Sequence, residues 1–363
     1  MRRGTHAIRT FVVLAAVLGA LVSGAPGGAA ITATPVATGL AFPAAFTFAR
    51  DGRIFYGERL TGEIRIFDPA TRSDRLFFTV PDLATDGEQG VLGLALHPDY
   101  PATPYVYAFV TRLVGGVARN EIVRITSSGG TGASMWPMFT APAASHHNGG
   151  RIMFGRGRLL YAVIGDNGFA RNSQDLTTTA GKVLRMTAWG AVPAGNPFPG
   201  SYVFAYGIRN SFGFTFDPQT GRMWETENGP ECNDELNRIA WGANYGWGPS
   251  ATCSTPPEPP RNTNQDGPSP ILPQRWYATP NAATGAAFCT GCALGTASEG
   301  RLFFGAWKTG EIRRVTLGPL RWNAVSQTVV YVHQGRILAL EAAPDGALYL
   351  SDHTGIYKLV LTP

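Results

Sequence analysis

Few residues in this chain could do chemistry, and two of them are adjacent. His146 and His147 open the stretch "HHNGGRIMFGRGRLLYAVIGDNG", and one carboxylate, Asp166, closes an apolar run nineteen residues after His147 (166 − 147). An imidazole held through one nitrogen by a carboxylate presents the other as a base of fixed tautomer and raised basicity. Such a pair could take the proton of a bound hydroxyl. Gly149 and Gly150 would let a second molecule approach the backbone. The plainer alternative is that His147 caps a turn.

Two further phrases carry charge at turns. "YGIRNSFGF" sets Arg209 and Asn210 after an aromatic strand. "ETENGPECNDELN" gathers Glu225, Glu227, Glu231, Asp234 and Glu235 around Gly229-Pro230. Carboxylates and turn carbonyls are hard oxygen ligands that suit Ca²⁺; a solvated acidic loop has the same composition. "DGEQGVLGLALHPDY" and "GANYGWGP" are dense in turn residues and carry no chemistry unaided.

These residues need a scaffold, and the chain repeats one. A turn, an alternating strand, a second turn and another strand recur in "ARDGRIFYGERLTGEIRIFD", "APDGALYLSDHTGIYKLVL" and "SEGRLFFGAWKTGEIRRVTL". Three looser copies are "GRGRLLYAVIGDN" with "GKVLRM", "HPDYPATPYVYAFVT" with "NEIVRI", and "DPQTGRMWETENG" with "DELNRIA". The Asp-Gly and Gly-Arg turns supply the positive φ that a tight hairpin needs. Six such units, roughly 45–80 residues apart, predict an all-β, six-bladed β-propeller. A β-sandwich or two small β-domains are the alternatives. Residues 249–297, with "STPPEPPRNTNQDGPSP" at their heart, read as a long Pro-rich loop within a single domain over 31–363, because a blade-like copy follows them.

The first thirty residues read as a signal peptide. Arg2, Arg3 and Arg9 precede a 12-residue apolar run, Phe11 to Val22, and small residues end at Ala29-Ala30. The run is too short to span a bilayer, and no later stretch is apolar enough to do so. The chain is therefore expected to be exported, to a periplasm or the exterior. Without the leader, 27 Lys and Arg (30 − 3) face 25 Asp and Glu, so nucleic acid is not an expected partner. Four cysteines in an exported chain predict disulfides, here the local pairs Cys232–Cys253 and Cys289–Cys292, over a four-cysteine zinc site.

Taken in order, "EQGVLGLALHPDY", "HNGGRI", "IGDNG", "YGIRNSFG", "ENGPECNDELN", "NYGW", "GAWKTG" and "APDGALY" resemble the soluble glucose/sorbosone dehydrogenases. These are quinoproteins that use pyrroloquinoline quinone (PQQ). The resemblance covers most of the mature chain and implies a six-bladed propeller that oxidises aldoses to lactones and passes electrons to an acceptor the sequence does not name. It implies that His147 is the general base, Asp166 its orienting partner, and Arg209 the group that polarises the quinone oxygen, with Asn210 beside it. It implies that Glu88, Lys308 and Arg336 contact the cofactor, and that the carbonyls of Gly229 and Pro230 bind a Ca²⁺ that also grips it. His146 has no implied role and reads as a rim residue.

Two departures stand out. The family pattern has a second basic residue two positions after the first, where this chain has Leu338 in "GRILAL". The segment around Cys289–Cys292 replaces an aromatic-rich stretch expected beside the site. Two other functions remain open on the sequence: a Ca²⁺-dependent propeller hydrolase of lactonase type, and a secreted binding propeller without cofactor.

Overall fold

A computed structural model describes residues 29–254 and 257–363. The expected signal peptide lies outside the described residues apart from its last two positions. The strands form six four-stranded antiparallel sheets, each a blade of one propeller. The first blade runs Pro43–Phe48, Ile54–Glu58, Glu63–Asp68, Ser73–Thr79, and the second Val91–Leu96, Tyr105–Val114, Val117–Ser128, Thr131–Pro142. The third runs Ile152–Phe154, Leu159–Ile164, Lys182–Thr187, Val203–Tyr206, and the fourth Ser211–Phe216, Met223–Glu227, Asp234–Ile239, Arg275–Tyr277. The fifth runs Ala283–Phe288, Leu302–Ala306, Glu311–Leu317, Ala324–Val332. The sixth takes Ala339–Ala342, Leu348–Ser351 and Gly355–Thr362, and its outer strand is the N-terminal Ala30–Thr38. That pairing joins the two ends of the described chain and leaves no open sheet edge between first and last blades.

Each repeat copy read from the sequence is the middle hairpin of one blade. The turns that lead into these hairpins from the inner strands take positive φ at glycine, as at Gly52 (φ 89°) and Gly346 (φ 87°). Middle strands such as Ile54–Glu58 and Leu302–Ala306 are buried at every residue, because neighbouring blades cover both faces. Outer strands such as Thr131–Pro142 are largely exposed.

The stretch 249–297 is not one loop. It contains the outer strand of the fourth blade, Arg275–Tyr277, and the inner strand of the fifth, Ala283–Phe288. Proline richness in its first half hid the short strands of its second. Both predicted disulfides form, with Cα separations of 5.7 Å for Cys232–Cys253 and 5.1 Å for Cys289–Cys292.

Around the axis the inner strands approach one another closely. A Cβ at Gly93 would overlap the carbonyl oxygen of Gly150 in the next blade, and one at Gly213 would overlap that of Thr284. In four blades the inner strand also carries a register shift at its beginning, skipping Ala44, Leu92, Phe212 and the Thr284-Gly285 pair. Bulges re-aim side chains. Ala44, Leu92, Phe212 and Thr284 all line the cavity described below.

We predict that Gly93→Ala destabilises the protein by about 2–4 kcal/mol, since a backbone oxygen cannot move aside as a side chain can. Gly195→Ala, where the new carbon would meet only the tip of Arg185 at 3.5 Å, should fall within about 0.5 kcal/mol of the wild type. Urea unfolding of both variants checks this.

Candidate active site

One end of the propeller axis opens into a cavity of about 650 Å³. Its floor is the ring of inner-strand residues Ala44, Leu92, Arg151, Phe212, Thr284 and Leu338, one from or beside each blade. Its walls are the connections between strands. They bring together every residue the sequence singled out there except Asp166, which stands directly behind His147: Glu88, His147, Arg209, Asn210, Gly229, Pro230, Lys308 and Arg336 all line it.

His147 sits between the second and third blades with φ 58°, a left-handed conformation that costs a non-glycine residue energy. Its surroundings hold it there. Its backbone N–H donates to Glu88 Oε2 at 2.7 Å, and its Nδ1 donates to Asp166 Oδ1 at 2.6 Å. The neighbouring Asn148 is buried and accepts from Asn120 Nδ2 (3.0 Å) and from the Ala144 N–H (3.1 Å). With Nδ1 committed to Asp166, the lone pair belongs to Nε2. Asp166 is 2 % exposed, and its Oδ1 also accepts the Gly168 N–H at 2.7 Å. Its own N–H donates to the Arg209 carbonyl at 2.8 Å, which joins the loop of the partner to the loop of the cation backbone to backbone.

The glycines after His147 are also required by the packing of the protein itself. A Cβ on Gly149 would meet the Val163 oxygen at 2.6 Å, and one on Gly150 would overlap the Leu92 side chain. Both have positive φ, 64° and 110°. They admit neighbouring strands of the protein itself, and Gly149 also lines the cavity.

Arg209 donates through its N–H to Glu227 Oε1 at 2.5 Å and through Nη1 to the Asn228 carbonyl at 2.9 Å. Burial pushes its guanidinium down from the ordinary value, opposed by Asp166, Glu227, Glu88 and Asp234. Behind it, Glu225, Glu227 and Glu235 crowd around Asn237 Nδ2 at 3.1–3.2 Å. Burial raises Glu225 to about 7, Glu235 to about 8, and Glu227 well above the usual carboxylate range, where the other two glutamates add to the effect. These carboxylates are packed behind the site and do not line the cavity. Glu231, by contrast, is exposed.

The lining carries five fixed cations, Arg59, Arg151, Arg209, Lys308 and Arg336, against two carboxylates, Glu88 and Asp234. That imbalance favours an anionic guest. Two buried donors without partners, Arg59 Nε and Arg151 Nη1, point the same way, and Asn210 Oδ1 and both amide atoms of Asn228 are also without partners. Arg336 lies over the Trp307 ring at 4.0 Å and Arg59 over Phe42 at 4.4 Å, each held at the cavity by an aromatic face. Among the described residues no three His, Cys, Asp or Glu side chains are grouped to hold a metal. A cation beside Gly229 and Pro230 would rely on main-chain oxygens and on the guest itself. Two protein carbonyls fall well short of the six to eight oxygens that Ca²⁺ takes.

The disulfide Cys289–Cys292 is not beside the cavity. It follows the inner strand Ala283–Phe288, which begins at the cavity wall and runs away from it, so the disulfide lies at the opposite end of the blade. Leu338 does line the cavity, so the position lacking the second basic residue faces the guest.

Several lining residues had no assignment from the sequence. Arg59 occupies the place in "YGERLTGEIR" that Trp307 occupies in "FGAWKTGEIR", and that equivalence between repeat copies was a usable signal. Nothing local marked His353 or Arg151.

The glucose/sorbosone dehydrogenase family model matches residues 40–359. Quinoprotein glucose dehydrogenase B of Acinetobacter calcoaceticus is 32% identical over 244 residues, which are 56% of this chain and only 50% of that relative's length. Aldose sugar dehydrogenase YliI of Escherichia coli is 26% identical over 324 residues, 83% of this chain and 85% of its own. The solved PQQ-bound form of the aldose sugar dehydrogenase of Streptomyces coelicolor superimposes with a TM-score of 0.78 at 30% identity, over 93% of this chain and 99% of that one.

One buried cation outside the cavity fixes the loop behind Asp166. Lys182 is fully buried and donates to the carbonyls of Asn172 (2.6 Å), Ala180 (2.7 Å) and Ser173 (3.2 Å). Burial lowers it to about 7, while the three carbonyl acceptors favour the ammonium. Lys182→Met would strand those carbonyls. We predict a loss of about 2–4 kcal/mol in urea unfolding at neutral pH.

Proposed function

This chain belongs to the glucose/sorbosone dehydrogenase family, and from that premise we propose that it is an exported, PQQ- and Ca²⁺-dependent dehydrogenase of aldose sugars. The observation that carries the reading is the 2.6 Å contact from His147 Nδ1 to Asp166 Oδ1 at the wall of a cation-lined cavity. PQQ, a flat quinone with three carboxylates, supplies the hydride acceptor when bound. Lys308, Arg336 and Arg59 would answer its carboxylates, and the unpartnered Asn228 and Asn210 atoms would offer it polar contacts.

The chain's own residues do the rest. His147 Nε2 accepts the proton of the sugar's anomeric hydroxyl, and Asp166 stabilises the imidazolium that results and holds the ring in place. Arg209 sets a fixed positive charge where negative charge grows on the acceptor, and burial strengthens its field. Gly229 and Pro230 offer carbonyls to Ca²⁺. A lactonase would have no use for this set of cations, and a binding propeller would have none for the buried pair behind Nε2.

Dye reduction by aldoses after PQQ and Ca²⁺ are added to purified protein tests the whole reading. Absence of turnover with every aldose tried would overturn it. Within it, His147→Ala should lower kcat by on the order of 10²–10⁴ with PQQ still bound. His146→Ala should do far less, since His146 bonds only Ser145 Oγ, at 2.8 Å, on the exposed rim. Calcium uptake, followed by calorimetry, should be weak without PQQ and strong with it. Leu338→Arg should tighten PQQ binding about tenfold to a hundredfold with little change in Tm, because the side chain faces the cavity and a carboxylate would answer the new charge.

A further inference from the structure

We infer that Trp247 is a positioning residue that couples the His147–Asp166 pair to Arg209, an inference that rests on the dehydrogenase reading above. Its phrase, "GANYGWGP", belongs to the long connection that follows the third strand of the fourth blade. That connection returns to the cavity end between the third and fourth blades. Asn244 bridges to Tyr206, and the Trp247 N–H donates to the Gly207 carbonyl at 3.1 Å.

There the indole meets both halves of the site. Trp247 Nε1 donates to Asp166 Oδ2 at 2.8 Å, the oxygen that His147 does not use. The Arg209 guanidinium carbon lies 5.4 Å from the centre of the same ring. Asp166 thus receives three donors, from His147 and Gly168 on Oδ1 and from Trp247 on Oδ2. Two contacts on one oxygen fix a position but leave the carboxylate plane free to turn. The third, on the other oxygen, fixes the plane, and with it the line along which Asp166 holds the imidazole.

The indole is itself braced from the Asp166 side. Gln174, in the short helix Arg171–Gln174 that follows the Asp166 loop, donates to the Trp247 carbonyl at 2.8 Å and to Asn244 Oδ1 at 2.9 Å. Loop and tryptophan therefore hold each other. An indole that only filled space would need neither the N–H contact nor the cation above its face.

Two variants separate these roles. Trp247→Phe keeps a ring beneath Arg209 and deletes the donor to Asp166; Trp247→Ala deletes both. In PQQ-loaded holoenzyme, Trp247→Phe should lower kcat roughly tenfold to a hundredfold, with the Kd for PQQ, the KM for the aldose and Tm nearly unchanged. Trp247→Ala should lower kcat further and also weaken PQQ binding, because Arg209 loses its support. A second reading needs no turnover. In the proton NMR spectrum of the full chain, the His147 Nδ1 proton should move downfield in Trp247→Phe, since a carboxylate relieved of one donor accepts more strongly from the other. An unchanged kcat in Trp247→Phe, or losses of kcat, PQQ affinity and Tm in the same proportion for both variants, would overturn the inference. So would an unmoved resonance. If the wild type itself neither binds PQQ nor turns over, the dehydrogenase reading falls, and the resonance still decides whether the indole acts on the His147–Asp166 pair.

Discussion

Six inner strands must converge on one axis, and the space there is smaller than ordinary side chains allow. Glycine at 93, 213 and 285 solves the problem where backbone meets backbone. At the cavity end, bulges relieve the crowding by turning one residue of a strand toward the axis. The cavity floor is built from those turned residues. Arg151 ties the floor together: its guanidinium reaches toward the carbonyls of Phe212 (3.3 Å), Leu338 (3.4 Å) and Ala44 (3.5 Å), which belong to three other blades. These contacts are long, and any one is weak. Their distribution around the axis means that no blade can tilt without disturbing the rest.

The walls depend on that floor. Phe42, His147 and Ala282 all line the cavity with φ between 54° and 60°, a conformation such residues avoid unless their surroundings enforce it. At His147 the enforcement comes from Glu88 on one side and Asp166 on the other. Gly165 shows how tight the junction is. A Cβ there would meet the Arg209 oxygen at 2.9 Å and overlap that of His147. Base, partner and cation are therefore placed by one close packing of three loops, and none can be repositioned alone.

The sequence exposed the parts of this design that depend on local chemistry. Middle hairpins could be read because both faces are buried and a glycine must turn the corner, as in "ARDGRIFYGERLTGEIRIFD". Outer strands could not. Thr131–Pro142 is largely exposed, lacks a clean alternation, holds two prolines and gains its strand character from pairing with Val117–Ser128. Arg275–Tyr277 is three residues long and borrows its order from Asp234–Ile239. The histidine and its aspartate stood out by type and spacing, and the arginine's role came only with the family resemblance. The roles of Arg59, Arg151 and Trp247 were not, because each depends on where distant segments arrive. The same blindness put Cys289–Cys292 at the wrong end of its blade: a strand's direction relative to the axis is a property of the closed ring.

The electrostatics of the cavity follow from this arrangement. Lys308, Arg336 and Arg59 come from connections of the fifth, sixth and first blades, and no carboxylate from those blades lines the cavity with them. Glu88, Asp166, Glu227 and Asp234 come from the arc between the first and fourth blades and surround Arg209. One half of the rim thus carries an excess of positive charge, eased only by Glu88 near Arg59 and Asp234 near Lys308, and the other half is a base with its acidic support. A guest carrying several carboxylates can satisfy the first half only by turning its uncharged edge toward the second, where His147 waits. Charge alone would then choose the orientation before any shape complementarity acted. It would do so in a site partly shielded from water, where such forces are less weakened than at the surface.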